Sequence, residues 1–283
     1  MISTIAVIGA GTMGSGIAQV SAQAGCATIL CDVNPIMIEK AKESIQKNLD
    51  FLLNKKKINA EEKDAVYNRI QFENDIEKCK ADLIIEAIVE NMDAKISLFK
   101  KLAAVNNPET IFASNTSSLS ISELQNEIPY SERVVGLHFF NPAPLMKLVE
   151  VVKGKQTADR IIHTLRLLCE HLNKNAVLCA DAPGFIVNRV ARHYYLEAMK
   201  LVESGIATFE NVDTIMESSG FKMGPFKLMD LIGMDINLKV SESIYEAFKN
   251  AERFKPSQLQ IEKVHHNHLG RKTGKGFYDY TTK

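Results

Sequence analysis

Three glycines near the start of the chain constrain its fold more than any other feature. Gly9, Gly11 and Gly14 form the pattern G-x-G-x-x-G directly after the apolar run STIAVIG, and residues at helical spacing follow. A buried strand, a tight turn at Gly9 and a helix are therefore predicted. Gly11 lets the backbone approach a pyrophosphate, and Gly14 lets the helix pack closely on the strand. The helix N-terminus, at Thr12 and Met13, offers its N–H groups and positive dipole end to phosphates.

An acidic residue after the next apolar run indicates which dinucleotide would bind. ATILCD ends in Asp32, at about the separation from the glycines that a ribose-binding carboxylate requires. A carboxylate there accepts hydrogen bonds from a 2′-hydroxyl and repels a 2′-phosphate, and no arginine follows closely. NAD is therefore predicted in preference to NADP. The alternative is a tight strand-to-helix turn that binds no ligand.

Apolar runs alternate with helical patterns in the first part of the chain, and after Pro183 and Gly184 only amphipathic helical patterns remain. We therefore expect an α/β protein: a Rossmann-type, doubly wound, mostly parallel sheet in residues 1–183, then an all-helical C-terminal domain in residues 184–283. Beyond the first two strands, the predicted strands are 82–88, 110–115, 133–140, 146–152 and 175–180; the predicted helices of this part are 12–24, a long one from Pro35, 92–105 and 158–172.

Composition excludes several classes of protein. Apolar residues make up 46% and charged residues 24% of the 283, as in globular proteins, and the formal net charge is zero. No overall field would attract nucleic acid or an anionic membrane. The five cysteines lie mostly in apolar runs without a C-x-x-C pair, which indicates buried thiols in a reducing compartment. With no signal segment expected before the first strand, a cytoplasmic location is predicted.

Four polar side chains are candidates for alcohol oxidation, which needs a base, a group that orients it, and groups that hold the substrate. His138 lies near the end of a predicted strand in GLHFFNP, and Glu150 stands in the otherwise apolar strand MKLVEVV, where a carboxylate needs a partner. Ser117 lies in the polar run SNTSS, and Asn188 lies early in the helical domain. A structural histidine satisfied at a strand end is the alternative for His138.

Glu90 and Lys95 follow the strand DLIIEAI, at the sheet edge where ligands bind in open α/β sheets. They are candidate cofactor contacts, with a solvated pair at a helix start as the alternative.

The chain resembles the short-chain L-3-hydroxyacyl-CoA dehydrogenases, also called 3-hydroxybutyryl-CoA dehydrogenases, over essentially its full length. The matching stretches are VIGAGTMGSGIA, EAIVEN, FASNTSSLSI, GLHFFNPAPLMKLVEVV, DAPGFIVNR, MGPFKLMDLIGMD and KTGKGFYDY. The resemblance implies NAD-dependent oxidation of a 3-hydroxyacyl-CoA, with His138 and Glu150 as the catalytic pair and Ser117 and Asn188 on the substrate. It also implies NAD contacts at Glu90, Lys95, Ser117 and Asn141.

The resemblance further implies coenzyme A contacts on the helix after the second strand. Ser44 and Lys47 are the candidates there, followed by the basic run Lys55 to Lys57, although the lysine positions do not match the family pattern closely. A solvated helix face is the alternative. A homodimer through the helical domain is also implied, since Phe185, Ile186, Val187 and MGPFKLMDLIGMD are apolar; an ordinary monomer core is the alternative.

Several other functions remain open or are excluded. The substrate could be 3-hydroxybutyryl-CoA, 3-hydroxyadipyl-CoA or a hydroxy acid without a thioester, and a non-catalytic NAD-binding protein is a further alternative. A hydrolase triad is excluded because the nucleophile elbow G-x-S-x-G is missing. No metal site is predicted, since the histidines at 265, 266 and 268 have no carboxylate or cysteine at ligand spacing.

Overall fold

A computed structural model describes residues 2–281 and divides the chain into two compact units, Met1–Ala182 and Pro183–Lys283. The sequence analysis places the boundary between the two domains one residue later, between residues 183 and 184. The first unit contains an eight-stranded sheet in the order β3-β2-β1-β4-β5-β6-β7-β8. Its strands are β1 Thr4–Ile8, β2 Ala27–Cys31, β3 Ile70–Glu73, β4 Leu83–Glu86, β5 Ile111–Ser114, β6 Val134–Phe139, β7 Leu148–Lys153 and β8 Asn175–Ala180.

The first six strands of that order are parallel, and the direction reverses between β6 and β7. Strand β8 is parallel to β7. The α-helices of the first unit are α1 Thr12–Gln23, α2 Pro35–Asn54, α3 Ala60–Asn68, α4 Met92–Val105, α5 Ile121–Asn126 and α6 Asp159–His171. The prediction of a doubly wound, mostly parallel sheet is confirmed.

Alternate residues of the buried strands point to opposite faces of the sheet and pack against two different layers of helices. Ile5, Val7 and Ile85 belong to one apolar cluster with residues of α1, α2 and α6. On the other face, Phe112 of β5 packs against Phe99 of α4, with ring centroids 5.6 Å apart. A parallel sheet covered on both faces favours apolar residues on both sides of each strand, which explains why these strands are largely continuous apolar runs.

The sequence analysis missed helix α3 and strand β3. Helix α3 begins at a capping box in which Asn59 and Glu62 bond each other's backbone N–H groups. Strand β3 has the sequence IQFE, and only Ile70 in it is buried. A short edge strand with polar positions lacks the continuous apolar run that identified the central strands.

The second unit is helical, as predicted. Between residues 183 and 281 no strand is present, and the β-structure consists of isolated bridges from Lys275 to Gly270 and Asp279. Its α-helices are α7 Val187–Glu203, α8 Phe209–Ser218, α9 Pro225–Ile232, α10 Met234–Ala247 and α11 Gln258–His265. In the described part of the chain, no helix combines the length and apolar character that crossing a membrane requires.

Candidate active site

The turn between β1 and α1 has the geometry of a phosphate-binding turn. Gly9 has φ +104°, and a Cβ added there would lie 2.5 Å from the carbonyl oxygen of Ala87. A Cβ on Gly14 would lie 1.7 Å from the carbonyl oxygen of Gly9, so helix and turn meet without room for a side chain. A Cβ on Gly11 would meet no atom within 4 Å, which leaves this peptide open to a ligand.

The start of α1 fits an anionic group. Gly11 is the N-cap residue, and no side chain caps the helix. Thr12 and Met13 form the first turn, whose N–H groups have no acceptor within the helix. The helix dipole adds partial positive charge at the same place. These residues would hold the pyrophosphate of NAD.

Asp32 follows β2 and joins the turn to the strand next to it. Its Oδ2 accepts a hydrogen bond from the N–H of Ala10 at 2.8 Å, and its Oδ1 accepts one from the N–H of Asn34 at 2.9 Å. The carboxylate is thus fixed beside the glycine turn, where the sequence predicted a ribose contact.

His138 and Glu150 face each other across the junction between β6 and β7. They are register partners in the antiparallel ladder, so their side chains lie on the same face of the sheet. His138 Nδ1 lies 2.8 Å from Glu150 Oε2, and both side chains are buried. The phenyl ring of Phe140 lies against the imidazole, with centroids 4.5 Å apart.

This pair can act as a base with a fixed tautomer. An ionised carboxylate only accepts hydrogen bonds, so Nδ1 carries the proton in this contact and Nε2 is the basic nitrogen. Since β6 is parallel to β5, β4 and β1, His138 lies at the same carboxyl edge of the sheet as the glycine turn. The geometry therefore places a base at the edge where the dinucleotide would bind.

The segment after β5 carries Ser117 and is held by Glu90. One oxygen of Glu90, Oε1, accepts hydrogen bonds from the Thr116 hydroxyl at 2.5 Å, the Ser117 N–H at 3.1 Å and the Ser118 hydroxyl at 3.0 Å. Burial favours a higher pKa for Glu90, but the ammonium of Lys95 and the hydrogen bonds from Thr116 and Ser117 outweigh it, and the pKa is lowered.

Lys95 is almost completely buried, so the alternative of a solvated pair is wrong. Its Nζ lies 3.2 Å from Glu90 Oε2 and 2.6 Å from Oε1 of Glu86, the last residue of β4. The sequence analysis missed Glu86, although it carries the same signal as Glu150, a carboxylate within an apolar strand.

Asn115 is a second residue that the sequence analysis missed. Its Oδ1 accepts a hydrogen bond of 2.8 Å from the N–H of Phe139, and its own N–H donates to the carbonyl of Glu86 at 2.8 Å. This side chain therefore connects the segment that carries Ser117 to the backbone next to His138. No pattern in the sequence distinguishes Asn115 from an ordinary loop asparagine.

The remaining predicted contacts lie at exposed or helical positions. Asn141 is exposed and comes directly after Phe140 in the sequence. Asn188 is the second residue of α7 in the second unit. Ser44 and Lys47 are exposed on α2. Four residues further along, Phe51 is 58% exposed, and Lys55 Nζ lies 5.7 Å from its ring centroid. Ser44, Lys47 and Phe51 of α2, with Lys55 directly after its end, thus form a surface with two lysines and one aromatic ring.

Comparison with known families agrees with this geometry. Residues 4–182 match the NAD-binding domain of 3-hydroxyacyl-CoA dehydrogenases, and residues 184–280 match the C-terminal domain of the same family. The chain belongs to the 3-hydroxyacyl-CoA dehydrogenase family. NAD is accordingly the cofactor of the domain formed by residues 4–182.

Individual members of the 3-hydroxyacyl-CoA dehydrogenase family are similar over the whole chain. A 3-hydroxyadipyl-CoA dehydrogenase from Escherichia coli K12 is 44% identical over 99% of the chain, which spans 59% of that longer protein. A probable 3-hydroxybutyryl-CoA dehydrogenase from Bacillus subtilis is 41% identical over 100% of the chain and 99% of its own length. The crystal structure of (S)-3-hydroxybutyryl-CoA dehydrogenase from Ralstonia eutropha is 36% identical, with a TM-score of 0.94 and full coverage of both chains.

Proposed function

We propose that this chain catalyses the NAD-dependent oxidation of (S)-3-hydroxyacyl-CoA to 3-ketoacyl-CoA and the reverse reduction. A short-chain substrate such as 3-hydroxybutyryl-CoA or acetoacetyl-CoA is proposed. The observation that carries the proposal is the 2.8 Å contact between His138 Nδ1 and Glu150 Oε2, at the sheet edge that also holds the glycine turn. Membership of the 3-hydroxyacyl-CoA dehydrogenase family supports the same reaction.

In this proposal His138 is the general base. Its Nε2 takes the proton of the 3-hydroxyl group, while Glu150 holds Nδ1–H and stabilises the imidazolium that forms. Bound NAD would supply the hydride acceptor for carbon 3. In the reverse direction the His138 imidazolium returns the proton to the oxygen of the 3-keto group. Ser117 and Asn188 are proposed to hydrogen-bond the substrate oxygens and so orient carbon 3.

The proposed roles of the other residues follow from where they lie. Gly9, Gly11, Thr12, Met13 and Gly14 would hold the pyrophosphate, and Asp32 the adenosine ribose. Glu90, Lys95, Ser117 and Asn141 are proposed as further NAD contacts, and Ser44 and Lys47 as contacts of the coenzyme A moiety. Two carboxylates, those of Glu86 and Glu90, hold the Lys95 ammonium between them. Lys95 would therefore contact NAD while it keeps both ion pairs.

Replacing His138 tests the reaction. With acetoacetyl-CoA and NADH, we expect His138→Gln to lower the turnover number by about 10²- to 10⁴-fold, because the proton transfer loses its base. The dissociation constant of NADH, measured by fluorescence, should change far less. His163→Gln, at an exposed position on α6, is the control. Near-normal turnover in His138→Gln would remove this residue from its role.

The same assay distinguishes the remaining substrates. The similar protein from Escherichia coli supports 3-hydroxyadipyl-CoA as the second candidate. Comparing kcat/KM for 3-hydroxybutyryl-CoA, medium-chain 3-hydroxyacyl-CoA thioesters and 3-hydroxyadipyl-CoA identifies the preferred acyl group. Turnover of a free hydroxy acid without the thioester, or NADH binding without any turnover, would contradict the proposed function.

We further propose a cytoplasmic homodimer that forms through the second unit. Phe226, Met229 and Met234 of MGPFKLMDLIGMD are buried, but Leu231, Ile232 and Ile236 are 50%, 37% and 49% exposed. Covering these neighbouring apolar side chains would favour association. Light scattering should give twice the chain mass of 31.5 kDa, and Ile232→Glu should shift the mass towards the monomer. A monomer mass for the unmodified protein at micromolar concentration would contradict the dimer.

The proposed cytoplasmic location is supported by the five cysteines, which are all buried and free, as expected in a reducing compartment.

A further inference from the structure

Glu86 is a fully buried carboxylate that the proposed reaction does not use. It is 0% exposed and has three donors: the N–H of Ile88 at 2.7 Å and Lys95 Nζ at 2.6 Å on Oε1, and the Ser114 hydroxyl at 2.6 Å on Oε2. A carboxylate removed from water is costly unless it is paired and hydrogen-bonded in this way. An apolar residue of similar size would fill the position without that cost, so the acid calls for an explanation.

Each carboxylate oxygen of Glu86 is connected by hydrogen bonds to the segment that carries Ser117. On one side, Lys95 bridges Glu86 to Glu90, and Glu90 accepts the N–H of Ser117. On the other side, the Ser114 hydroxyl donates to Glu86 and accepts the N–H of Thr116 at 3.3 Å. Two hydrogen-bonded routes from one carboxylate thus end on adjacent peptides, Thr116 and Ser117.

The charges of this cluster make the first route depend on Glu86. Lys95 is 1% exposed and has a carboxylate on each side, so its ammonium is held at a fixed distance from Glu90. Without the charge of Glu86, the ammonium would have Glu90 as its single carboxylate partner. It would then move towards Glu90 and compete with the donors from residues 116–118 for the same carboxylate.

We infer that Glu86 is a positioning residue, which fixes the backbone at Ser117 through Lys95 and Glu90 and through Ser114. The role rests on the proposed function in that Ser117 is taken to face the substrate. Glu86 itself need not touch the substrate or NAD.

Glu86→Gln tests this role because the amide keeps the shape but removes the charge and replaces one acceptor oxygen with a donor. In the protein without substrate or NAD, we expect amide hydrogen exchange in residues 114–119 to rise about tenfold or more. Exchange in β1 should stay at the rate of the unmodified protein. Turnover with acetoacetyl-CoA and NADH should fall about tenfold or more, and KM for acetoacetyl-CoA should change less.

A matched control separates positioning from general stability. Asp213 in the second unit is also 0% exposed and also accepts three hydrogen bonds, from the N–H groups of Phe226 and Lys227 and the hydroxyl of Tyr278. Asp213→Asn should lower stability without changing exchange in residues 114–119. Without NAD, the double variant Glu86→Gln/Lys95→Met should raise exchange in residues 114–119 no more than the more affected single variant, because Lys95 belongs to one of the two routes that start at Glu86.

Unchanged exchange in residues 114–119 of Glu86→Gln would overturn the inference. An equal rise throughout residues 2–182 would overturn it too, because Glu86 would then be merely structural. If Glu86→Gln does not fold, Ser114→Ala removes one route alone and should raise exchange in the same segment by a smaller factor; no rise there would also count against the role. The exchange results do not depend on turnover, so an inactive unmodified protein would refute the proposed function and not the positioning.

Discussion

At the scale of single residues, Asp32 has two separate tasks. Its carboxylate accepts the N–H of Ala10, within the glycine turn, and that of Asn34, the N-cap residue of α2. The remaining acceptor capacity of the two oxygens would serve the ribose hydroxyls. One side chain thus holds the turn and, in the proposed function, also selects the cofactor.

Asp32→Asn should raise KM for NAD by about 10- to 100-fold, because a hydrogen bond to a charged acceptor is lost. It should also narrow the preference for NAD over NADP, since the amide does not repel a 2′-phosphate. Asp82→Asn is the control, because Asp82 also accepts hydrogen bonds from two backbone N–H groups, those of Ser3 and Thr4. Steady-state kinetics with both cofactors gives the result, and an unchanged KM for NAD in Asp32→Asn would exclude the ribose contact.

Residue patterns predicted some of the site and could not predict the rest. The glycines, Asp32 and Glu150 were identified because motif spacing or an acid in an apolar strand sets them apart. For His138 the residue pattern left a structural histidine open, and the family resemblance favoured the base. Lys95 was placed on the surface as one alternative, since a lysine in a helix is usually exposed. Its burial depends on Glu86, nine residues earlier, and that pairing appears only when strand and helix are folded together.

At the scale of elements, the reversal of direction at β7 brings His138 and Glu150, the proposed catalytic pair, face to face. Cross-strand partners in an antiparallel ladder have their Cβ atoms about 4.5–5.5 Å apart, which suits an imidazole and a carboxylate that share one proton. The two strands were both predicted, but their relative direction was not, because apolar runs carry no information on pairing sense.

Glu150→Gln should lower turnover by about 10²- to 10⁴-fold, since the amide can present its donor to Nδ1 and stabilise the wrong tautomer of His138. NADH affinity should remain close to that of the unmodified protein. Glu73→Gln, in the last residue of β3, is the matched control on a strand at the far side of the sheet. Turnover within threefold of normal, on the order of 1 kcal/mol or less, would show that the carboxylate does not orient the base.

At the scale of the whole molecule, the second unit is secured by two buried aspartates that bind its own C-terminal segment. Asp230 accepts the N–H groups of Phe277 and Tyr278, and Asp213 accepts the hydroxyl of Tyr278 at 2.7 Å. Burial of Tyr278, together with this hydrogen bond to a carboxylate, raises its pKa. Residues far apart in the sequence thus stabilise a helical unit whose separate helices are short.

Tyr278→Phe should therefore lower the free energy of unfolding of the second unit by about 1–3 kcal/mol, because the Asp213 carboxylate loses a donor. Urea unfolding followed by circular dichroism measures the change. Tyr130→Phe, at a 39% exposed position of the first unit, should change the stability by less than about 0.5 kcal/mol. Equal stability of Tyr278→Phe and the unmodified protein would show that the hydrogen bond contributes nothing to the fold.

The antiparallel ladder also limits insertions and deletions between His138 and Glu150. The limit applies both to natural variants and to engineered ones. Residues 140–147 join the two strands and can vary in number as long as the pairing of His138 with Glu150 is kept. A slip of one residue would turn the glutamate to the opposite face, and a slip of two would carry it about 6.8 Å along the strand. Insertions that bulge out of the loop are thus compatible with catalysis, whereas those absorbed by sliding β7 are not.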